Sequence, residues 1–216
     1  MSKDGFTEMV ETAQAFFTEL EQNNTKAFFE PRKEMYTESI KKPAEFFAEI
    51  MAEEFSRLSG QSYRSKVFRI YRDVRFSKDK TPYKPYLHML WSTGPEVFSP
   101  KVFFGCERDR LRMGLGIFGM VSDELARLRA FIDSDGDRVL DALNAAQATW
   151  SDWGPDPLKR VPKPYAPDHP HGDLLKRKAF AVHLPFAETW RDDGLVKAVR
   201  ASFEASEPLR SILSEV

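Results

Sequence analysis

Residues 101–118 read Lys101-Val-Phe-Phe-Gly-Cys-Glu-Arg-Asp-Arg-Leu-Arg-Met-Gly-Leu-Gly-Ile-Phe118. Two strand-like runs, Lys101 to Glu107 and Leu111 to Phe118, flank a turn at Arg108-Asp109. So short a connection joins antiparallel neighbours, because parallel strands need a crossover of a dozen residues or more. In the second run Leu111, Met113, Leu115 and Ile117 share one face; Arg112, Gly114, Gly116 and Phe118 share the other. Two glycines on one face leave a shallow trough, which predicts close approach of another backbone or a ligand.

Helical periodicity lies on both sides of this hairpin. Thr7 is placed to cap a helix with apolar positions at Val10, Ala13, Phe16, Phe17 and Leu20. A second helical stretch starts near Thr25 and tolerates Pro31, while Pro43 should break or kink it. Ala44 to Leu58 forms a third, burying Phe46, Phe47, Ile50, Met51 and Phe55, and Ser59-Gly60 stops it. After the hairpin, Ser122 reads as an N-cap, and Leu125, Leu128 and Ile132 as a buried stripe. Asp137 to Thr149 is a further helix. Asp173 to Lys178 reads as a short helix, Ala179 to Pro185 as a strand, Leu195 to Phe203 as a helix, and a last helix starts near Pro208. Val67 to Phe76 and Leu87 to Ser92 complete the expected strands. Helices, then antiparallel strands, without strand–helix alternation, predict an α+β fold: one compact domain over 1–216, its central antiparallel sheet packed by N-terminal, middle and C-terminal helices.

The 216 residues carry a net charge of −1 and a single cysteine, Cys106. Near-neutral charge argues against binding nucleic acid or membranes through bulk charge. One cysteine excludes an intrachain disulfide and a multi-cysteine metal site. There is no signal-like N-terminus and no apolar run near the roughly 20 residues of a membrane span, so a cytoplasmic location without membrane contact is expected.

Charge is nevertheless concentrated. Between Lys66 and Lys84, seven basic residues (Lys66, Arg69, Arg72, Arg75, Lys78, Lys80 and Lys84) face two acids, Asp73 and Asp79, an excess of five against the trend of the chain. Alternation puts Arg72 with apolar Phe68, Ile70, Val74 and Phe76, and Arg69, Tyr71, Asp73 and Arg75 on the opposite face. A core-facing guanidinium must be paired, either with a helix carboxylate such as Glu30 or Glu54 or with a bound anion. The arginine fork suits phosphate or carboxylate. The Ser77–Thr81 turn lacks P-loop glycines. A second basic island, Lys159 to Lys178, encloses Asp168-His-Pro-His171. His169 beside Asp168 is the first candidate for acid–base catalysis.

Other motifs have plainer readings. His88 and His183 lie on expected strands and read as structural. Asp133-Ser-Asp-Gly-Asp137 resembles a calcium loop, but its glycine is misplaced and the closing Glu is missing, so it reads as an interhelix turn. Cys106 packs as a small apolar residue. Six prolines between Pro155 and Pro170 make stiff extended chain, with Trp150 and Trp153 placed to clamp it to the core.

Several segments together resemble a widespread, mainly bacterial family, domain-of-unknown-function 2461. They are Arg69 to Lys84; Asn23-Asn24 followed by Phe29; Met113-Gly-Leu-Gly-Ile117; Leu158-Lys-Arg-Val-Pro162; Asp168-His-Pro170; and Asp173-Leu-Leu175. Phe28 departs from the pattern, where tryptophan is expected. The resemblance implies one compact α+β domain and a pairing of the two basic islands, but no substrate and no catalytic residues.

The functional expectation is binding of a phosphate- or carboxylate-bearing small molecule. Arg69, Arg72, Arg75 and Lys78 would hold the anion, with Lys80 and Lys84 beside them. Tyr71 and Tyr83 would stack or hydrogen-bond, Asp73 would orient an arginine, and Gly114 and Gly116 would form a floor. No metal or cofactor is assigned. The alternatives are single-stranded nucleic acid on a basic strand interleaved with Tyr71, Phe76 and Tyr83, and a structural or interaction protein whose arginines are consumed in ion pairs.

Overall fold

The computed structural model describes residues 5–94 and 99–216. Its helices and strands follow in the order α1 (Gly5–Gln22), α2 (Lys26–Phe29), α3 (Lys33–Tyr36), α4 (Lys42–Ser59), β1 (Arg64–Val67), β2 (Tyr86–Ser92), β3 (Lys101–Glu107), β4 (Leu111–Ile117), α5 (Ser122–Ala145), β5 (Thr149–Trp150), α6 (Gly172–Leu175), β6 (Phe180–Leu184), α7 (Trp190–Asp193), α8 (Leu195–Ala205) and α9 (Glu207–Leu213). The strands make a six-stranded antiparallel sheet in the order β1-β2-β3-β4-β6-β5, and the fold is α+β.

By its contacts the chain divides into two compact units: Met1–Trp91 with Phe103–Met113 and Phe186–Ala201, and Ser92–Val102 with Gly114–Pro185 and Ser202–Val216. The first unit is aromatic-rich. Helix α4 buries Ala44, Phe47, Ala48, Met51 and Phe55, the stripe its spacing dictates. Phe55 meets Trp91 edge-on at 5.3 Å, and the Trp91 indole N–H donates to the Ala48 carbonyl at 2.8 Å. A fully buried ring of this kind is worth about 2–3 kcal/mol, and its polar atom must be satisfied. Phe46, expected inside, is 60 % exposed because it falls off that stripe. In the second unit, α5 buries Leu128, Ile132, Val139 and Leu143, and packs against α9 and α6.

Several local expectations are corrected. Helix α1 begins at Gly5, so Thr7 is a buried helical residue rather than a cap. Pro43 does not break the helix. A π-helical turn, Thr37–Lys41, precedes it, and the Lys42 N–H donates to the Thr37 carbonyl. In a regular α-helix the proline ring would press on a carbonyl four residues back; widening the turn re-routes the bonds. Val121, not Ser122, holds the cap position of α5, its N–H donating to the Glu124 carboxylate at 2.9 Å. The interhelix turn expected at 133–137 is present: Asp135 has non-helical angles (φ −127°, ψ 24°), so α5 is two helical segments that meet at a kink there. The strand expected over Val67–Phe76 is realised only at its start, since β1 ends at Val67.

Gly114 and Gly116 lie against β6. A Cβ at Gly114 would stand 2.8 Å from the Val182 carbonyl oxygen, and one at Gly116 would overlap the Phe180 carbonyl oxygen. The trough is therefore filled by backbone and provides no floor for a ligand.

Candidate functional site

From β1 the chain continues as an extended arm, residues 68–84, that folds back on itself. The Arg72 N–H donates to the Pro82 carbonyl at 2.9 Å, the Lys84 N–H to the Ile70 carbonyl at 2.8 Å, and Tyr71 bridges Tyr83 in antiparallel sense. Pro82 carries no N–H to return to Arg72, so that pair is bonded only once, the ladder is sparse and no regular strand forms.

The tip is braced by its own charges. Arg72 donates to the Asp79 carboxylate and the Thr81 hydroxyl. Its partner is therefore neither Glu30 nor Glu54, and its side chain is partly exposed rather than core-facing. Asp79 also accepts the Thr81 N–H at 2.9 Å, and its carboxyl is held down to about 2, first by that backbone bond and next by Arg72. Arg75 forks onto Asp73 with bonds of 2.9 and 2.7 Å. Lys80 donates to the Val74 carbonyl at 3.0 Å. Phe76, expected on the apolar face, is 95 % exposed at this tip. Tyr83 is buried, its ring stacked on Phe29 at 4.3 Å. The Asn24 amide accepts the Tyr83 N–H and donates to the Tyr83 carbonyl, taking the place of a partner strand.

Because these bonds are local and largely exposed, Arg72→Met is expected to preserve the fold. It should lower the melting temperature by about 2–4 °C while raising proteolysis within residues 73–81. Global unfolding of this variant would show that Arg72 carries more than the tip.

Two cations of the run stay uncommitted. Arg69 and Lys78 make no hydrogen bond or ion pair among the described residues, whereas Lys66 and Lys84 lie over the Phe68 ring at 5.2 and 5.8 Å. Arg69 and Tyr71 line a half-open cavity of about 240 Å³ together with Phe29, Lys33, Tyr36, Thr37, Lys41 and Glu45. Lys33, Thr37, Lys41 and Glu45 recur every four residues and so share one helix face across the π turn. This spacing was visible in the sequence, but nothing in it marks such a face as facing a cavity rather than solvent.

Three cations and one carboxylate give the cavity an excess of two positive charges. Glu45 pairs with Lys41 at 3.4 Å. Lys33 makes no ion pair among the described residues. Tyr36 is only 5 % exposed, yet its hydroxyl makes no hydrogen bond among the described residues. Burial, then Glu45 and Tyr71, push its pKa up to about 12, so it remains a phenol and a donor. The Lys84 ammonium has its pKa lowered by burial and then by Arg69 and Arg72, a sign of crowded positive charge at the arm's root.

The second basic island lies in the second unit. His169 Nδ1 accepts the His171 N–H at 3.0 Å, so the proton is on Nε2, which donates to Asp133 at 2.9 Å. The carboxylate beside His169 is Asp133 of α5, not Asp168. His171 lies 3.7 Å from Asp137, and Gly136 leaves room for its ring against the kink. Ser151, Asp152 and His183 approach one another, but both side-chain oxygens meet the same nitrogen, Nε2, at 3.2 and 3.0 Å. A nucleophile–base–carboxylate relay needs both ring nitrogens, so this is not one. Trp150 packs on Phe180 and carries the Arg177 guanidinium at 4.0 Å, Trp153 meets His183, and the proline segment is tied by the Leu158 N–H, which donates to the Lys176 carbonyl. Cys106 is buried, its thiol pushed up to about 12 by burial and then by Glu107. Among the described residues no three or more His, Cys, Asp or Glu side chains are grouped to hold a metal ion, and no helix is long and apolar enough to cross a membrane.

These features define an α+β protein with a self-braced basic arm and a small mixed-charge cavity at the arm's root. Over residues 12–211 the chain matches the family described as Conserved hypothetical protein (DUF2461), and it belongs to that family. No curated protein matches it.

Proposed function

We propose that the protein binds a phosphate- or carboxylate-bearing small molecule in the cavity lined by Lys33, Tyr36, Lys41, Glu45, Arg69 and Tyr71. One observation carries this reading. Two uncommitted cations, Lys33 and Arg69, face one cavity of about 240 Å³ together with Tyr36, whose ring is buried and whose hydroxyl makes no hydrogen bond among the described residues. The Tyr36 hydroxyl keeps a donor available to a ligand, and an arginine fork is built for a planar or tetrahedral anion. Arg72, Asp73, Arg75 and Lys80 then brace the arm that presents Arg69, and Lys84 adds to the potential at its root.

The test is calorimetry with inorganic phosphate and simple di- and tricarboxylates, at low and high salt. Arg69→Met is expected to weaken binding about 10- to 100-fold with the melting temperature of the free protein unchanged. Absence of binding by every such anion would sink the reading.

Single-stranded nucleic acid is favoured by one feature, the exposed Phe76 near Lys78. With Tyr83 buried, a single stacked base contributes about 1–3 kcal/mol, which makes this the weaker reading. It predicts oligonucleotide affinity that depends on Phe76 and falls steeply with salt.

A further inference from the structure

The cavity contains more than an anion needs. An anion is served by Lys33, Lys41 and Arg69, yet Glu45 stands in the same cavity, near enough to Tyr36 to act on its phenol. A carboxylate in a pure anion site is repulsive at close range unless it has a partner of its own. Lys41 partly neutralises it at 3.4 Å, which leaves lone pairs but no uncompensated charge. An acceptor of this kind, beside the Tyr36 and Tyr71 hydroxyls, suits ligand hydroxyl groups.

Size and charge narrow the class. A cavity of about 240 Å³ is several times larger than an orthophosphate ion. Its excess of two positive charges matches a phosphomonoester, which carries about −1.5 to −2 at neutral pH. An ammonium-bearing ligand would meet three cations against one already paired carboxylate, so the field disfavours it. Apolar surface from Phe29, Val67 and Ile70 suits the carbon face of a ring.

Resting on the anion-site reading above, we infer that the ligand is a phosphorylated polyol or sugar. Its phosphate lies on Lys33 and Arg69, and its hydroxyls donate to Glu45 and accept from the Tyr36 hydroxyl. Glu45 and Tyr36 are the specificity-determining residues; Lys33 and Arg69 supply the general affinity.

The experiment compares inorganic phosphate, a hexose monophosphate, glycerol phosphate, the unphosphorylated hexose and phosphoethanolamine by calorimetry on the full chain. The hexose monophosphate is expected to bind about 10-fold tighter than inorganic phosphate. Glu45→Ala and Tyr36→Phe should each remove most of that advantage. Inorganic phosphate should bind Glu45→Ala equally or more tightly, because a negative charge has gone. Both variants are checked by the melting temperature of the free protein; Tyr36→Phe keeps the ring packing, and Glu45 is half-exposed, so neither should unfold. Equal affinity for phosphate and the sugar phosphates would overturn the inference and leave the anion site standing. Tightest binding by phosphoethanolamine would overturn it in favour of a zwitterion. No binding by any phosphate would remove this inference, and carboxylate binding alone would then preserve the broader reading.

Discussion

Gly116→Ala is expected to lower the melting temperature by at least about 10 °C, the consequence of losing about 4 kcal/mol or more. A Cβ at this position overlaps the Phe180 carbonyl oxygen and lies 2.9 Å from the Ala181 Cα and 3.1 Å from the Phe180 carbonyl carbon. All three are backbone atoms of β6, which pairs with β4 on one side and β5 on the other. A flexible side chain could swing aside; a strand held on both edges cannot, so relief requires breaking its pairing with β4. Gly5→Ala is the control, since a Cβ there meets nothing within 4 Å. Thermal unfolding of both variants by circular dichroism measures the difference. A Gly116→Ala protein melting within about 2 °C of wild type would show that β6 does not pass so close.

Acid should destabilise the protein well above the range where carboxylates titrate, and His88 is the cause. It lies on β2, stacked on Tyr86 at 4.2 Å, and burial, with smaller opposition from Glu107 and support from Lys84 and Arg112, lowers its pKa to about 4. The folded value lies below the ordinary 6.5, so between those limits the unfolded chain binds a proton that the folded chain refuses. Stability is therefore greatest above pH 6.5 and falls as pH drops toward 4, by about 3 kcal/mol in total. Asp79, Asp73 and Glu107, whose pKa values are lowered in the folded state, add their losses as pH falls from about 5 downward, so most of the His88 window lies above theirs. Urea unfolding at pH 7 and pH 4.5 should differ by about 2–3 kcal/mol in wild type and by under about 1 kcal/mol in His88→Gln. An equal pH dependence in both proteins would remove His88 as its source.

Much of the fold could be read locally. The hairpin over Lys101–Ile117 lies where alternation and a short polar turn put it, and α4 buries the face set by its 3.6-residue period. Gly60 ends α4 with φ 72°, a left-handed conformation that glycine adopts without strain. Where local pattern and structure differ, a neighbouring or facing segment decides the outcome. Val67–Phe76 alternates like a strand, yet Pro82 on the facing segment supplies no N–H to Arg72, and the ladder lapses. Pro43 looks like a break, but a π turn beginning six residues earlier absorbs it.

The candidate site shows the same division more sharply. The excess of positive charge between Lys66 and Lys84 is a property of composition alone. Which of those cations are free is a matter of pairing, and pairing depends on distances between side chains that alternation does not encode. Arg72 and Arg75 found acids inside their own loop, whereas Arg69 did not. Lys33, Tyr36, Thr37, Lys41 and Glu45 lie some thirty residues before the arm in the chain, and only the packing of that helix face against residues 67–71 brings them to one cavity. Local pattern determined the helices, the hairpin and the location of the charge; tertiary packing decided which charges are spent on bracing the arm and which remain for a ligand, because a side chain's role follows from what it can reach once the backbone has closed around it.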